Sequence, residues 1–168
     1  MEQYALYLIM KDQVKAIDSN YKCSFNDMDS NAPNVIGIYI KSGGTPRKRE
    51  ISTGKYFNYT ARVQFLIQGD NNKNSLMTTM QLASSLRNAL ICDSNLEFPV
   101  NEQIKWVDGK IVYDPEDMLG GNDISVLLTK VSLLGEVDFK GKTTQGLPKY
   151  SINFRVEYYC KEEIKNGN

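Results

Sequence analysis

Three cations in succession, Arg47-Lys48-Arg49, follow Gly43, Gly44 and Pro46 in the stretch KSGGTPRKRE. A glycine-rich turn closed by lysine and arginine can hold a phosphate through backbone N–H groups and point charges, but the phosphate-loop pattern G-x-x-x-x-G-K-[ST] demands a fixed spacing. The chain does not meet it. Gly43 and Gly44 lead to no Gly-Lys pair, Gly54-Lys55 runs into Tyr56, and Gly141-Lys142-Thr143 has Gly135 one residue too far upstream. Asp114, Glu116 and Asp117 could offer oxygens to a divalent cation or form an acidic surface turn begun by Pro115. The chain has no histidine, which removes the commonest general base and excludes Ser-His-Asp and Cys-His arrangements within it. Cys23, Cys92 and Cys160 stand singly with no C-x-x-C pair, which argues against a disulfide framework or a zinc site. Cys92 and Cys160 read as small buried hydrophobes. No catalytic residue, cofactor or metal is nominated and an enzyme is not the expected reading, although carboxylate-only acid-base or metal sites stay open on the residues alone.

The elements that would carry these residues belong to a globular chain. Its 168 residues suit one domain with its own core. Apolar residues make up 41% and charged residues 24%, values that indicate neither disorder nor a membrane class. Twenty cations balance 20 carboxylates, so no global field draws nucleic acid or an anionic membrane. No apolar run approaches the ~20 residues of a spanning helix, and YALYLIM near the start lacks the flanks of a secretory signal. Assembly in the cytosol without a membrane partner is the expectation.

From Glu2 to Ile17, Leu6, Met10, Val14 and Ile17 recur at helical spacing. Tyr21, Cys23 and Phe25 suggest a short strand, and Val35–Lys41 is a β-run rich in branched side chains. Tyr59–Gln68 alternates Ala61, Val63, Phe65 and Ile67 against Thr60, Arg62, Gln64 and Gln68, so one face should be buried. The connection between these runs is long for a hairpin, and the basic stretch should project from it as a loop. A second helix is expected from about Lys73 to Ile91, after the caps offered by Gly69-Asp70-Asn71-Asn72, with Leu76, Met80, Ala83, Leu86 or Arg87, and Leu90 as its apolar stripe. Asp108-Gly109 between two short β-runs signals a tight hairpin. Ile124–Phe139 reads as one long β-run, Gly141–Pro148 as a turn, Tyr150–Cys160 as a returning strand whose polar face holds Asn153, Arg155 and Glu157, and Lys161–Asn168 as a fraying tail. The fold class is α+β: a largely antiparallel sheet with an N-terminal and a central helix packed on one face, plus an inserted β-hairpin.

Four segments in order, PNVIGIY (Pro33–Tyr39), the Gly43–Pro46 loop, VQFLIQG (Val63–Gly69) and LASSLRNAL (Leu82–Leu90), resemble the tail terminator proteins of long-tailed bacteriophages, also called minor capsid or head-tail joining proteins. LGEVDFKGK (Leu134–Lys142) followed by YSINFRVEYY (Tyr150–Tyr159) is similar to the closing hairpin of that family. The resemblance covers about three quarters of the chain in pieces, within a single domain of residues 1–160. It departs at Phe98–Gly121, which looks like an insertion. It implies a homo-oligomeric ring, commonly a hexamer, that caps the tail tube, ends its polymerisation and presents a docking surface to the head-side connector, with DNA only as passing cargo and the virion as its location. Another neck or head-completion protein, or an interaction module that caps no tubes, is the alternative; a small enzyme or nucleic-acid binder built on the basic loop is a third. Candidate interface residues are Arg47, Lys48, Arg49, Tyr56, Phe57 and Trp106. Against this stand a solvated loop tip for the three cations, sheet packing for Tyr56 and Phe57, and cover of a sheet edge for Trp106.

Overall fold

A computed structural model describes residues 2–43, 47–51, 54–91, 96–107, 110–113 and 122–163, with side chains placed for 3–4, 6–43, 59–91 and 128–158. Two helices, α1 (Glu2–Ile17) and α2 (Ser75–Leu90), lie on one face of a nine-stranded sheet. The strands are β1 (Lys22–Phe25), β2 (Val35–Ser42), β3 (Arg47–Ile51), β4 (Gly54–Gln68), β5 (Leu96–Val107), β6 (Lys110–Tyr113), β7 (Asn122–Leu133), β8 (Asp138–Lys142) and β9 (Pro148–Glu163). The fold is α+β, with an antiparallel sheet except for the parallel pair β1–β2.

Two long strands form the spine. β4 and β9 pair from Phe57↔Cys160 to Gln68↔Lys149. Along its other side β4 meets first β3 and then β2, while β9 meets β7 and then β8. Alternation sends Ala61, Val63, Phe65 and Ile67 of β4, and Ile152, Phe154, Val156 and Tyr158 of β9, into the core beneath the helices. Phe65 and Phe154 meet edge to face, with centroids 5.9 Å apart and planes at 87°, an arrangement that suits the ring quadrupoles. In β7 the register slips between Leu128 and Lys130. This bulge adds one residue, so that Leu128 and Val131, three apart, both turn inward.

Helix α1 buries every residue from Leu6 to Met10, and then Val14, because it contacts the sheet and α2 together. It ends where the Asp18 carboxylate accepts the Asn20 N–H at 2.9 Å, a local turn that competes with the helical bond. Helix α2 differs from its expected phase. Ser75, Thr79, Leu82, Ala83, Leu86 and Leu90 are buried, whereas Leu76 and Met80 face solvent. Gly69 supplies the reason: a Cβ there would stand 2.1 Å from Thr79 Oγ1 and 2.6 Å from Ser75 Oγ. The start of the helix comes so close to the end of β4 that only small side chains fit between them.

Three further expectations are revised. Arg47–Arg49 is not a projecting loop; it lies in β3, which extends the β4 edge as a hairpin. The run Ile124–Phe139 is two strands, because Gly135 takes φ +91 and turns the chain after Leu133. The tail begins later than Lys161, since β9 continues to Glu163 opposite Asp123 of β7. The Asp108-Gly109 turn lies outside the described residues, but the pair Val107↔Lys110 closes the expected hairpin around it. β5 and β6 join the common sheet through β7.

Candidate interaction surface

On the face of the sheet away from the helices, cross-strand register assembles a row of cations. Lys41 of β2 is directly opposite Arg62 of β4, and Arg62 is directly opposite Arg155 of β9. With strands ~4.8 Å apart, the backbone positions of the three cations span about 10 Å. All three are exposed. Like charges in directly opposed positions repel, and among the described residues only Arg155 has a carboxylate near it, Glu157 at 3.7 Å.

A groove of about 360 Å³ opens beside this row, lined by Tyr39, Lys41, Arg62, Gln64, Leu134 and Asn153. A smaller depression of about 180 Å³ continues it past Gly43, Thr60 and Arg155. Gly43 matters here through close approach: its N–H donates to Thr60 O at 2.6 Å, and a Cβ would lie 2.7 Å from that oxygen. On the β7 side the rim is held by Leu134 N–H donating to Asn153 O at 2.7 Å. The far end of the same sheet face is covered by the loop 26–34, whose Asp27 and Met28 pack over Gly37. The lining thus offers two cations, two carboxamides, a phenol and one apolar side chain. It is equipped to hold carboxylate or phosphate oxygens, and among the described residues no acid, thiol or general base lines it.

The helix side carries a different surface. Leu76, Met77 and Met80 of α2 are 43%, 61% and 45% exposed. The Tyr150 hydroxyl donates to Leu76 O at 3.2 Å, and the Tyr150 ring meets the exposed Phe139 at 5.1 Å. Tyr150, itself buried, thus sets the exposed apolar residues of α2 near Phe139 of β8.

The nominated residues are only partly brought together. β3 and β4 place Lys48 opposite Phe57 and Arg49 opposite Tyr56. Trp106, opposite Ile111 in the β5–β6 hairpin, is separated from them by β9 and β7. Beyond backbone register, the side chains of Arg47, Lys48, Arg49, Tyr56, Phe57 and Trp106 lie outside the described residues, as do Gly44, Pro46, Cys92, the Cys160 side chain and the Asp114, Glu116 and Asp117 carboxylates. The groove residues were not nominated. Their signal was the outward phase of Arg62 and Arg155 in two alternating runs, but the register that sets them side by side is not written in either run alone.

Cys23 on β1 packs against the core. Burial pushes its thiol up to about 11, offset in part by Lys11 and Lys15. It should therefore stay protonated and react slowly: at pH 8, alkylation of Cys23 by iodoacetamide, followed by peptide mass mapping, is expected to be more than about tenfold slower than in the urea-unfolded chain. Equal rates would show that the thiol is not shielded. Among the described residues, no group of three or more acidic or sulfur ligands could hold a metal, and no helix is long and apolar enough to cross a membrane.

No family model and no curated protein matches the chain. Among solved structures, a chain from the virion of a native gene transfer agent (GTA) particle is similar over 89% of this chain and 91% of its own, at 11% identity and a TM-score of 0.38.

Proposed function

We propose that the chain is a structural protein of a phage-type particle whose copies associate head to tail into a ring that closes a tail tube. The observation that carries this reading is the presence of two unlike surfaces on opposite faces of one sheet, the cationic groove and the apolar α2–β8 surface. Association through two different patches generates a closed ring when the rotation per subunit divides the circle. A cluster of exposed methionine, leucine and phenylalanine is also the composition that partner surfaces favour. The ordered segments that resemble tail terminators support the same role. In this reading the tube protein and a head-side connector are the partners, the ring is a hexamer, and 98–121 is an addition to the common domain. The balanced net charge suits a ring through which DNA passes without being held.

Negative-stain images and sedimentation of the purified chain, alone and with isolated tail tubes, test this. Rings, and rings at tube ends, are expected. The variant Met77→Glu should melt within about 1 °C of wild type because the side chain is exposed, yet lose ring formation or tube capping by about tenfold or more. A chain that is monomeric at every concentration and ignores tube ends would overturn the ring. If such a monomer still bound a head-side protein, the role would be that of a different neck component.

A further inference from the structure

The cationic row is unusual for an exposed sheet face, because its three members stand at directly opposed positions on adjacent strands, where like charges repel. Neither Lys41 nor Arg62 has an ion-pair partner among the described residues. An arrangement of this kind is relieved when an anion of matching extent seats beside it. The adjoining groove limits what that anion can be. Its two carboxamides, phenol and Leu134 suit a peptide that brings carboxylates together with apolar atoms better than a bare phosphate chain.

The chain itself holds such a peptide. Asp114-Pro115-Glu116-Asp117 is its densest acidic stretch, three carboxylates in four residues, followed directly by Met118 and Leu119. We propose that the groove at Lys41, Arg62 and Arg155 receives the acidic segment Asp114–Asp117 of a second copy of this chain. The segment lies outside the described residues, but both of its anchors are described. It leaves β6 at Tyr113 and returns to β7 at Asn122, beside the pair Asp123↔Glu163. Along β9, Glu163 is eight residues from Arg155, or about 26 Å. The connection 114–121 has eight residues and is tethered at both ends, so its tip reaches only about 14 Å from its anchors. It cannot fill the groove of its own chain. It can fill a neighbour's, and that contact joins the far end of one sheet to the outer face of the next. This assignment rests on the ring reading and deepens it: the groove's counterpart on the neighbour is the 114–117 segment, which leaves the apolar α2–β8 surface to the tube or the connector.

The test is sedimentation velocity on the full chain over a concentration series, comparing wild type with Arg62→Glu, with the segment reversal Asp114→Lys/Glu116→Lys/Asp117→Lys, and with a variant joining that reversal to Lys41→Glu/Arg62→Glu/Arg155→Glu. Arg62→Glu and the segment reversal should each raise the concentration for half-assembly by about tenfold or more. The joined variant, in which every interface has its charges exchanged, should recover assembly. Its recovery also shows that the reversed chains fold. A wild type that assembles while Arg62→Glu assembles equally well overturns the groove assignment and leaves the ring standing. Loss of assembly in Arg62→Glu but not in the segment reversal, or no recovery in the joined variant, overturns the segment as the occupant. Retention of a labelled DNA duplex that Arg62→Glu abolishes, with assembly unchanged, assigns the groove to nucleic acid instead. A wild type that never assembles overturns both readings.

Discussion

Replacing Gln68 by glutamate is expected to destabilise the protein by about 3–5 kcal/mol at pH 7, because it puts an uncompensated charge in a buried site. Gln68 is fully buried. Its amide nitrogen donates to the carbonyls of Ala32 at 2.7 Å and Ser30 at 3.1 Å, with Asp29 at 3.5 Å. These bonds fix the 26–34 loop, which brings the chain from β1 back alongside β2 as a parallel neighbour. A carboxylate would point lone pairs at acceptors. Only its protonated form could donate, so its folded pKa must rise above the usual glutamate value of about 4.3. For a raised pKa the stabilising form is fully present below the unfolded value and is lost as pH climbs through the folded one. Urea unfolding of Gln68→Glu and wild type between pH 4 and pH 8 should therefore show a stability gap that widens with pH. A gap that stays constant would mean that the amide is not the donor described. Gln68→Met, which removes the donor without adding charge, should cost about 1–3 kcal/mol at every pH.

Phe154→Ala should cost about 3–5 kcal/mol, the range for a large aromatic removed from a packed interior. Phe154 is buried on β9, opposite Val63 of β4 and Leu133 of β7, with its ring against the edge of Phe65. Strands on both sides hold their positions through backbone pairing, so the site cannot collapse around a methyl group. A chain of this size should lose roughly 10 °C in melting temperature, read by circular dichroism or calorimetry. A fall of only one or two degrees would indicate that the sheet beneath the helices is not packed as described.

What could be read from the amino-acid order follows from the range over which each interaction acts. The inward faces of β4 and β9 were legible because Val63, Phe65 and Ile67, and Ile152, Phe154 and Val156, alternate without interruption. Helix α1 was legible for the same reason at its own period, although Ile17 ends at the margin of exposure. The misreadings share a cause in contacts between elements, which the pattern within one run does not show. Leu76 and Met80 carried the apolar pattern into the first turns of α2, yet the approach of Gly69 reserved the inward positions for Ser75 and Thr79. The basic stretch looked like a loop because its charges and neighbouring glycines are loop-like; its pairing with Gly54–Asn58 turned it into β3. The groove was hidden for a related reason: Lys41, Arg62 and Arg155 are each an ordinary outward residue, and only the register of three strands makes them a row.

The sheet's margins bear on how such a protein survives at high concentration. Among the described residues, 96–103 of β5 and 39–42 of β2 are open stretches of longer strands, while β1, β3, β6 and β8 have a partner on one side only and none of these four exceeds five residues. Each also carries cations: Lys22 on β1, Arg47, Lys48 and Arg49 on β3, Lys110 on β6, and Lys140 and Lys142 on β8. Short, charged margins are poor templates for another strand. At these four margins, copies crowded together are hindered from zipping edge to edge. Association is steered into side-chain contacts, which can be made, broken and corrected until an assembly closes.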